Sequence, residues 1–350
     1  MLRSRACGPS VLQAQVERDL SLWNATPIGE ETMRHAIETA ASLTIAWHKG
    51  RSYVVRSASS HQRLRQETPV SMIHFAAYLL DMLAVEEAGL VPKEAAAELI
   101  LKVDDVTMDP ATSASRTPAV GRYTRKLSGP LSPSPEIRVP SWAFRVRNFD
   151  AHFLGQQLAR TAQENPWESK TPVLFGRYAP YPTRLPRRTE RNSSATTRAT
   201  RDYFVRHAPD WVPRSALDLR LSMAKDETLG KRVDSRYTKV DMLHWSRRKY
   251  LLCLAGITWS GTCEMLLTLS SVPFIEQSGY QTYYSSSLQP FVHFIPVWAE
   301  YPDDVADALA WARADDARAR KVAEDARRFA AQHLSLAARE CYCACASHLI

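Results

Sequence analysis

The stretch from residue 249 to 298 constrains the fold more than any other. It reads KYLLCL, then a turn of small residues, AGITWSGT, then CEMLLTL, SSVPFI and, further on, FVHFIPVW. An apolar run of five or six residues between turn signals fits a buried strand, since a stable helix needs more length. The spacing predicts a strand over Lys249–Leu254, a helix over Cys263–Leu269, and strands over Ser271–Ile275 and Phe291–Trp298. Strands that are apolar throughout, instead of alternating, are covered on both faces. Alternation with helices then points to an α/β chain with a parallel sheet.

The rest of the chain continues that pattern. Residues 12–43 have helical spacing with a break at Thr26-Pro27. Leu43–Trp47 and Ser52–Val55 flank Lys49-Gly50 and read as a hairpin. Residues 69–89 form an apolar helix with Pro at its start and Gly at its end. The run ELILKV reads as a buried strand that stops at Asp104-Asp105. Residues 107–135 read as an irregular connection, and Ile137–Phe144 as strand-like. A helix over Ala151–Glu164 ends before Pro166, and a strand over Thr171–Phe175 follows. Asp303–Leu334 is amphipathic and helical. These elements divide the chain into residues 1–160, residues 161–335 and an irregular tail, 336–350.

Composition excludes several classes. With 45% hydrophobic residues, 23% charged and only 12 Gly, the chain is neither disordered nor collagen-like. No apolar run reaches the roughly 18 residues a membrane span requires. Six Cys in 350 residues give no disulfide framework, although Cys341, Cys343 and Cys345 crowd together. The first 20 residues contain no apolar core of a signal peptide. Sequons at Asn24 and Asn192 permit a lumenal location without arguing for one. A net charge of +8 suits anionic partners.

Four features carry candidate chemistry. The turn around Gly256, Ser260 and Gly261 is either an ordinary strand–helix connection or an anion site suited to a diphosphate. Residues 177–206 hold Arg177, Arg184, Arg187, Arg188, Arg191, Arg198, Arg201 and Arg206. One or two could grip a phosphate, a nucleic-acid patch is a rival use, and a solvated mobile loop is the bland reading for most of them. Asp104 and Asp105 close a strand, where a carboxylate either caps a turn or serves as a general base. His293, within an apolar run, reads first as a hydrogen-bonded core residue.

Taken in order, these pieces resemble glycosyltransferase family 90, which contains protein O-glucosyltransferases and fungal capsule-associated xylosyltransferases. The matching residues are Lys249-Tyr250-Leu251, the 256–262 turn, Ser270-Ser271-Val272, Leu288-x-Pro290 with His293-Phe294-Ile295-Pro296-Val297, and a tail with Trp311, Ala312 and Phe329. Upstream, Glu98–Asp105 resembles the family's strand ending in its base, and IRVPSWAF (137–144) its Pro-x-x-Phe segment. Val173–Tyr178 resembles its donor-site loop, and Val16–Trp23 its N-terminal helix.

The resemblance implies a GT-B-like α/β fold with two Rossmann-like domains facing across a cleft. It implies inverting, metal-independent transfer of glucose or xylose from a UDP-sugar to a hydroxyl of a glycan or protein. The UDP-sugar is then a co-substrate, with no cofactor and no nucleic acid partner, and the family's location would be the endoplasmic reticulum or Golgi lumen. Asp105 matches the base. Arg177, Tyr178, Arg184, Gly256, Ile257, Thr258, Trp259, Ser260, Gly261 and Thr262 match the donor site. The chain departs from the family at Thr262, where Arg is usual, at Gly176-Arg177-Tyr178 in place of Arg-Gly-Ser, and at Thr107 in place of Pro. Thr262 motivates an alternative, a catalytically impaired relative that still binds nucleotide sugar. A basic nucleic-acid-binding protein is the remote alternative.

Overall fold

The computed structural model describes residues 43–55, 69–91, 93, 97–101, 120–122, 125–126, 137–221 and 241–349, with isolated positions 17, 30, 31 and 34. Asp104, Asp105, Thr107 and most of the helix expected over 12–43 lie outside the described residues. The chain divides into two compact units. One comprises residues 1–150, 280–287 and 333–350, and the other residues 151–279 and 288–332. The break at 150/151 falls ten residues before the sequence-based boundary, and two later segments return to the first unit.

The first unit opens with β1 (Leu43–His48) and β2 (Arg51–Val55), paired antiparallel with His48 opposite Arg51. Lys49 at φ 52° and Gly50 at φ 77° make the two-residue turn the sequence predicts, since both central positions need the left-handed region. Helix α1 (Pro69–Glu87) ends at Gly89, which takes φ 68°. It buries Ala77, Tyr78, Asp81, Met82 and Val85, one face at helical spacing. Strand β3 (Ala97–Leu101) lies antiparallel to β1, with Leu99, Ile100 and Leu101 all buried.

Within the segment expected to be irregular, two short strands form, β4 (Val120–Arg122) and β5 (Arg125–Lys126). The strand expected over 137–144 shortens to β6 (Ile137–Arg138), because Pro140 has no N–H to continue a ladder. Ser141 Oγ then accepts from the Ala143 N–H at 3.1 Å and starts the short helix α2 (Ala143–Val146). The sheet order is β2-β1-β3-β4-β6, with β3, β4 and β6 parallel.

The second unit begins within a wide π-helical turn, Asp150–Gln157, running into α3 (Leu158–Glu164). Strand β7 (Thr171–Tyr178) runs past its apolar core, and the Tyr178 ring folds back over Gly176. The Arg-rich segment contains regular structure. It holds the small hairpin β8 (Arg187–Arg188) and β9 (Thr196–Thr197) and the start of α4 (Thr200–Trp211). Strand β10 (Leu217–Leu221) follows, then α5 (Met242–Trp245) and β11 (Arg248–Cys253). Helix α6 (Thr262–Leu266) is shorter than expected, and β12 (Val272–Glu276) comes next.

After β12 the chain enters the first unit, where β13 (Tyr280–Gln281) pairs antiparallel with β5 and Arg138 donates to Gln281 Oε1 and the Thr282 carbonyl at 3.2 Å each. Back in the second unit, only Ile295–Val297 of FVHFIPVW is a strand, β14. Phe291 at φ 61° and Trp298 at φ 49° bend the chain on either side, so His293 sits in a turn and accepts from the Gln289 N–H at 3.0 Å. The long helical region breaks into α7 (Val305–Ala314) and α8 (Asp316–His333). Asp315 Oδ1 accepts from the Arg318 N–H and restarts the helix.

The tail expected to be irregular is α9 (Leu336–Leu349), in the first unit. It contains neither Gly nor Pro, and its Tyr342, Cys343 and Ala344 are buried. Tyr342 donates to the Arg138 carbonyl at 2.6 Å, and Arg339 pairs with Asp150 at 2.7 Å. Among the described residues no helix is long and apolar enough to cross a membrane.

The second unit's sheet has the order β10-β7-β11-β12-β14, and every neighbouring pair is parallel. Tyr250, Leu252, Val272 and Phe274 pack with Phe204, Val305, Leu309 and Val322 on one face. Leu251, Cys253 and Ile275 are equally buried. The sheet is therefore covered on both sides, as its uninterrupted apolar strands predict.

Candidate functional site

The strand order contains one reversal. From β7 the chain steps outward to β10, then returns to the other side of β7 for β11 and continues to β14. Connections leaving the carboxyl ends of β7 and β11 diverge, and in doubly wound sheets the crevice between such loops is where ligands bind. The two loops here are residues 179–199 after β7 and residues 254–261 after β11.

Hydrogen bonds tie the two loops together. The Arg184 N–H donates to the Ile257 carbonyl at 2.8 Å, and Thr183 Oγ1 reaches the same oxygen at 3.5 Å. Arg201, in the first turn of α4, is 8% exposed. Its Nη1 donates to the Ala179 carbonyl at 3.0 Å, and its Nη2 to the Leu254 carbonyl at 3.1 Å and Ser260 Oγ at 3.3 Å. Gly256 lies against the same guanidinium, where a Cβ would come 3.4 Å from Nη2. One buried cation thus spans both loops.

Glu276, the last residue of β12, supports the turn from below. It is 2% exposed, and its Oε2 accepts from the Ala255 N–H at 2.8 Å. Burial raises its pKa; the Ala255 bond, Arg187 and Arg201 act in the opposite direction. Arg187 Nε stands 3.7 Å from Glu276 Oε1. Burial likewise lowers the Arg201 pKa, against the pull of Tyr178 and Glu276. A disulfide joins Cys253, at the end of β11, to Cys263 in α6, closing the turn between them. Cys341 is disulfide-bonded as well, so the cysteines are more structural than their number predicts.

The expected donor residues fall into two groups. Arg184 and residues 256–262 are brought together at the switch point. Thr258 and Ser260 are buried, while Ile257, Trp259, Gly261 and Thr262 are half-buried. The Arg184 side chain is exposed and makes no ion pair or side-chain hydrogen bond among the described residues. Arg177 and Tyr178 serve the sheet instead. Arg177 pairs with Asp218 at 2.7 Å, donates to the Asp218 carbonyl at 2.6 Å and stacks on Phe175 at 4.1 Å. Tyr178 donates to the Leu252 carbonyl at 2.8 Å, and burial holds its pKa well above the ordinary phenol value. Other arginines of the run are also engaged: Arg191 with Asp303 at 2.8 Å and Arg206 with Asp202 at 2.9 Å. Those pairs neutralise three of the eight arginines of the run.

Arg201 and Glu276 were not distinguishable in the sequence from their neighbours. Arg201 was one of eight arginines, and only the start of α4 at Thr200 turns it beneath the turn.

A family profile described as Glycosyl transferase family 90 matches residues 4–347. The chain belongs to that family. Its relatives include "Protein O-glucosyltransferase 1" of Rattus norvegicus, 24% identical over 190 residues, which are 53% of this chain and 43% of that protein. "O-glucosyltransferase rumi" of Drosophila pseudoobscura pseudoobscura is 30% identical over 96 residues, 27% of this chain and 23% of that protein. "Uncharacterized protein 035R" of Invertebrate iridescent virus 3 is 33% identical over 102 residues, 28% of this chain and 9% of that protein. The chain spans less than half the length of each of these relatives.

Proposed function

We propose that the chain is an inverting glycosyltransferase that moves glucose or xylose from a UDP-sugar to a hydroxyl of a glycan or protein. The observation that carries this reading is the joined pair of loops at the switch point of a parallel sheet, with buried Arg201 beneath it and exposed Arg184 beside it. A leaving UDP gains negative charge as the sugar departs, and preplaced cations and N–H donors lower the barrier most where that charge develops. Arg184 and the 256–262 turn are the residues assigned to the diphosphate. The GT-B arrangement and the absence of a catalytic metal follow the family resemblance.

In the proposed step an acceptor hydroxyl attacks the anomeric carbon from the face opposite UDP. Asp105 takes the hydroxyl proton as the new C–O bond forms. The bond from that carbon to the phosphate oxygen breaks, and UDP leaves with the electron pair. Incubation of purified protein with UDP-glucose and UDP-xylose, followed by measurement of UDP release and acceptor glycosylation, tests the reading. Asp105→Asn is expected to lower turnover by about 100-fold or more, the usual scale for a lost general base. Full activity in that variant removes Asp105 from the role.

Thr262 favours a second reading, in which the chain binds nucleotide sugar without efficient turnover. The family's usual Arg at this position would face the diphosphate. Loss of one such contact costs about 100–1000-fold in rate. UDP binding without turnover, with rate recovered by Thr262→Arg, selects this reading over the first.

A further inference from the structure

The 254–261 turn has no regular structure of its own, and residues outside it hold it in place. Glu276 accepts from Ala255, Arg201 donates to Leu254 and Ser260, and Arg184 donates to Ile257. The Cys253–Cys263 bond is different in kind. It joins the two ends of the turn covalently, across a sequence separation of 10 and a Cα–Cα distance of 5.5 Å. Both sulfur-bearing residues are almost fully buried, at 1% and 2% exposure. The bond is thus shielded from solvent reagents.

We propose that the Cys253–Cys263 disulfide is a positioning element for nucleotide-sugar binding, which holds the turn in its ligand-ready shape before the donor arrives. The inference rests on the donor reading above. A tethered turn has already lost the freedom that a loose one gives up on binding, so its closure tightens donor affinity. The ordering cost applies equally to the ground and transition states. Opening the ring therefore raises KM and leaves kcat nearly unchanged.

The experiment compares the full-length wild type with Cys253→Ala/Cys263→Ala and with Cys253→Val/Cys263→Ala, which restores the lost volume. UDP is titrated calorimetrically, and amide hydrogen exchange is followed in the 254–262 segment and in β7 and β12. Both variants are expected to bind UDP about tenfold more weakly, the scale of ordering one or two loop side chains. Exchange is expected to accelerate in 254–262 and to stay unchanged in β7 and β12. With a UDP-sugar, KM is expected to rise while kcat stays within about twofold. Equal UDP affinity in wild type and variants overturns the inference and leaves the donor reading intact. So does a general loss of protection in β7 and β12, or failure of both variants to fold, since the bond would then hold the domain and not the turn. A wild type that does not bind UDP overturns the donor reading, and the inference with it.

Discussion

The backbone N–H of Arg184 donates to the carbonyl of Ile257 at 2.8 Å, across 73 positions of sequence. These residues leave adjacent strands at the point where the sheet order reverses. The bond makes one surface of two loops and leaves the Arg184 guanidinium exposed beside the turn. Replacement of that side chain leaves the backbone bond in place. Arg184→Ala is therefore expected to weaken UDP binding about tenfold, the loss of one charge-assisted contact, with little change in thermal stability. Calorimetry and a melting curve on the same sample check both halves.

Arg201 differs because it is structural and central at once. Its guanidinium meets three acceptors from two loops and balances buried Glu276. Arg201→Met leaves that carboxylate with less compensation in a dry site. Loss of the charged hydrogen bonds from Arg201 to the Ala179 and Leu254 carbonyls and to Ser260 costs about 3–5 kcal/mol. Urea unfolding is expected to show a loss of that size, together with loss of UDP binding. Glu276→Gln in the same background is expected to restore part of the stability, because a buried carboxylate left with Arg187 alone is gone.

Gly176 makes a steric prediction. A Cβ there would lie 2.0 Å from the Tyr178 hydroxyl and 2.4 Å from Cζ. Gly176→Ala forces the ring away and breaks the Tyr178–Leu252 hydrogen bond. The expected cost is about 2–4 kcal/mol, combining overpacking with a lost buried bond. A melting temperature equal to wild type would mean that the ring has room to move.

Lys170 gives a pH dependence. Burial lowers its pKa to about 8, and its amine is held by the Ser246 carbonyl and by Ser271 Oγ at 3.1 Å. Between pH 8 and the ordinary value near 10.5 the unfolded chain binds more protons than the folded one, so stability from this group rises with pH. The full change is about 3 kcal/mol, at 1.36 kcal/mol per unit. The wild-type advantage over Lys170→Met in urea is expected to grow from pH 7.5 to pH 10. A constant difference contradicts the depressed value.

The parts of this architecture visible in the sequence are those set by local pattern. Lys49-Gly50 marks its hairpin because two left-handed residues in a row are rare outside such turns. KYLLCL followed by AGITWSGT marks the strand and turn that carry the candidate donor site. Features set by tertiary packing are not visible in this way. Cys253 and Cys263 pair because β11 and α6 bring them together, a fact that counting cysteines does not reveal. Glu276 lies one residue past the strand expected over Ser271–Ile275, and its burial beneath Ala255 depends on the neighbouring loop. FVHFIPVW looks like one strand, but the bends at Phe291 and Trp298 leave only its middle paired. The helix over 336–349 buries Tyr342, a long-range contact that the tail's own pattern does not show.

Hydrogen exchange with and without UDP tests the central claim most directly. If the donor binds at the switch point, saturating UDP slows exchange in both segments that line it, 179–185 and 254–262, and leaves β10 and β14 unchanged. Protection confined to other parts of the chain, or no protection at all at saturating UDP, contradicts the assignment.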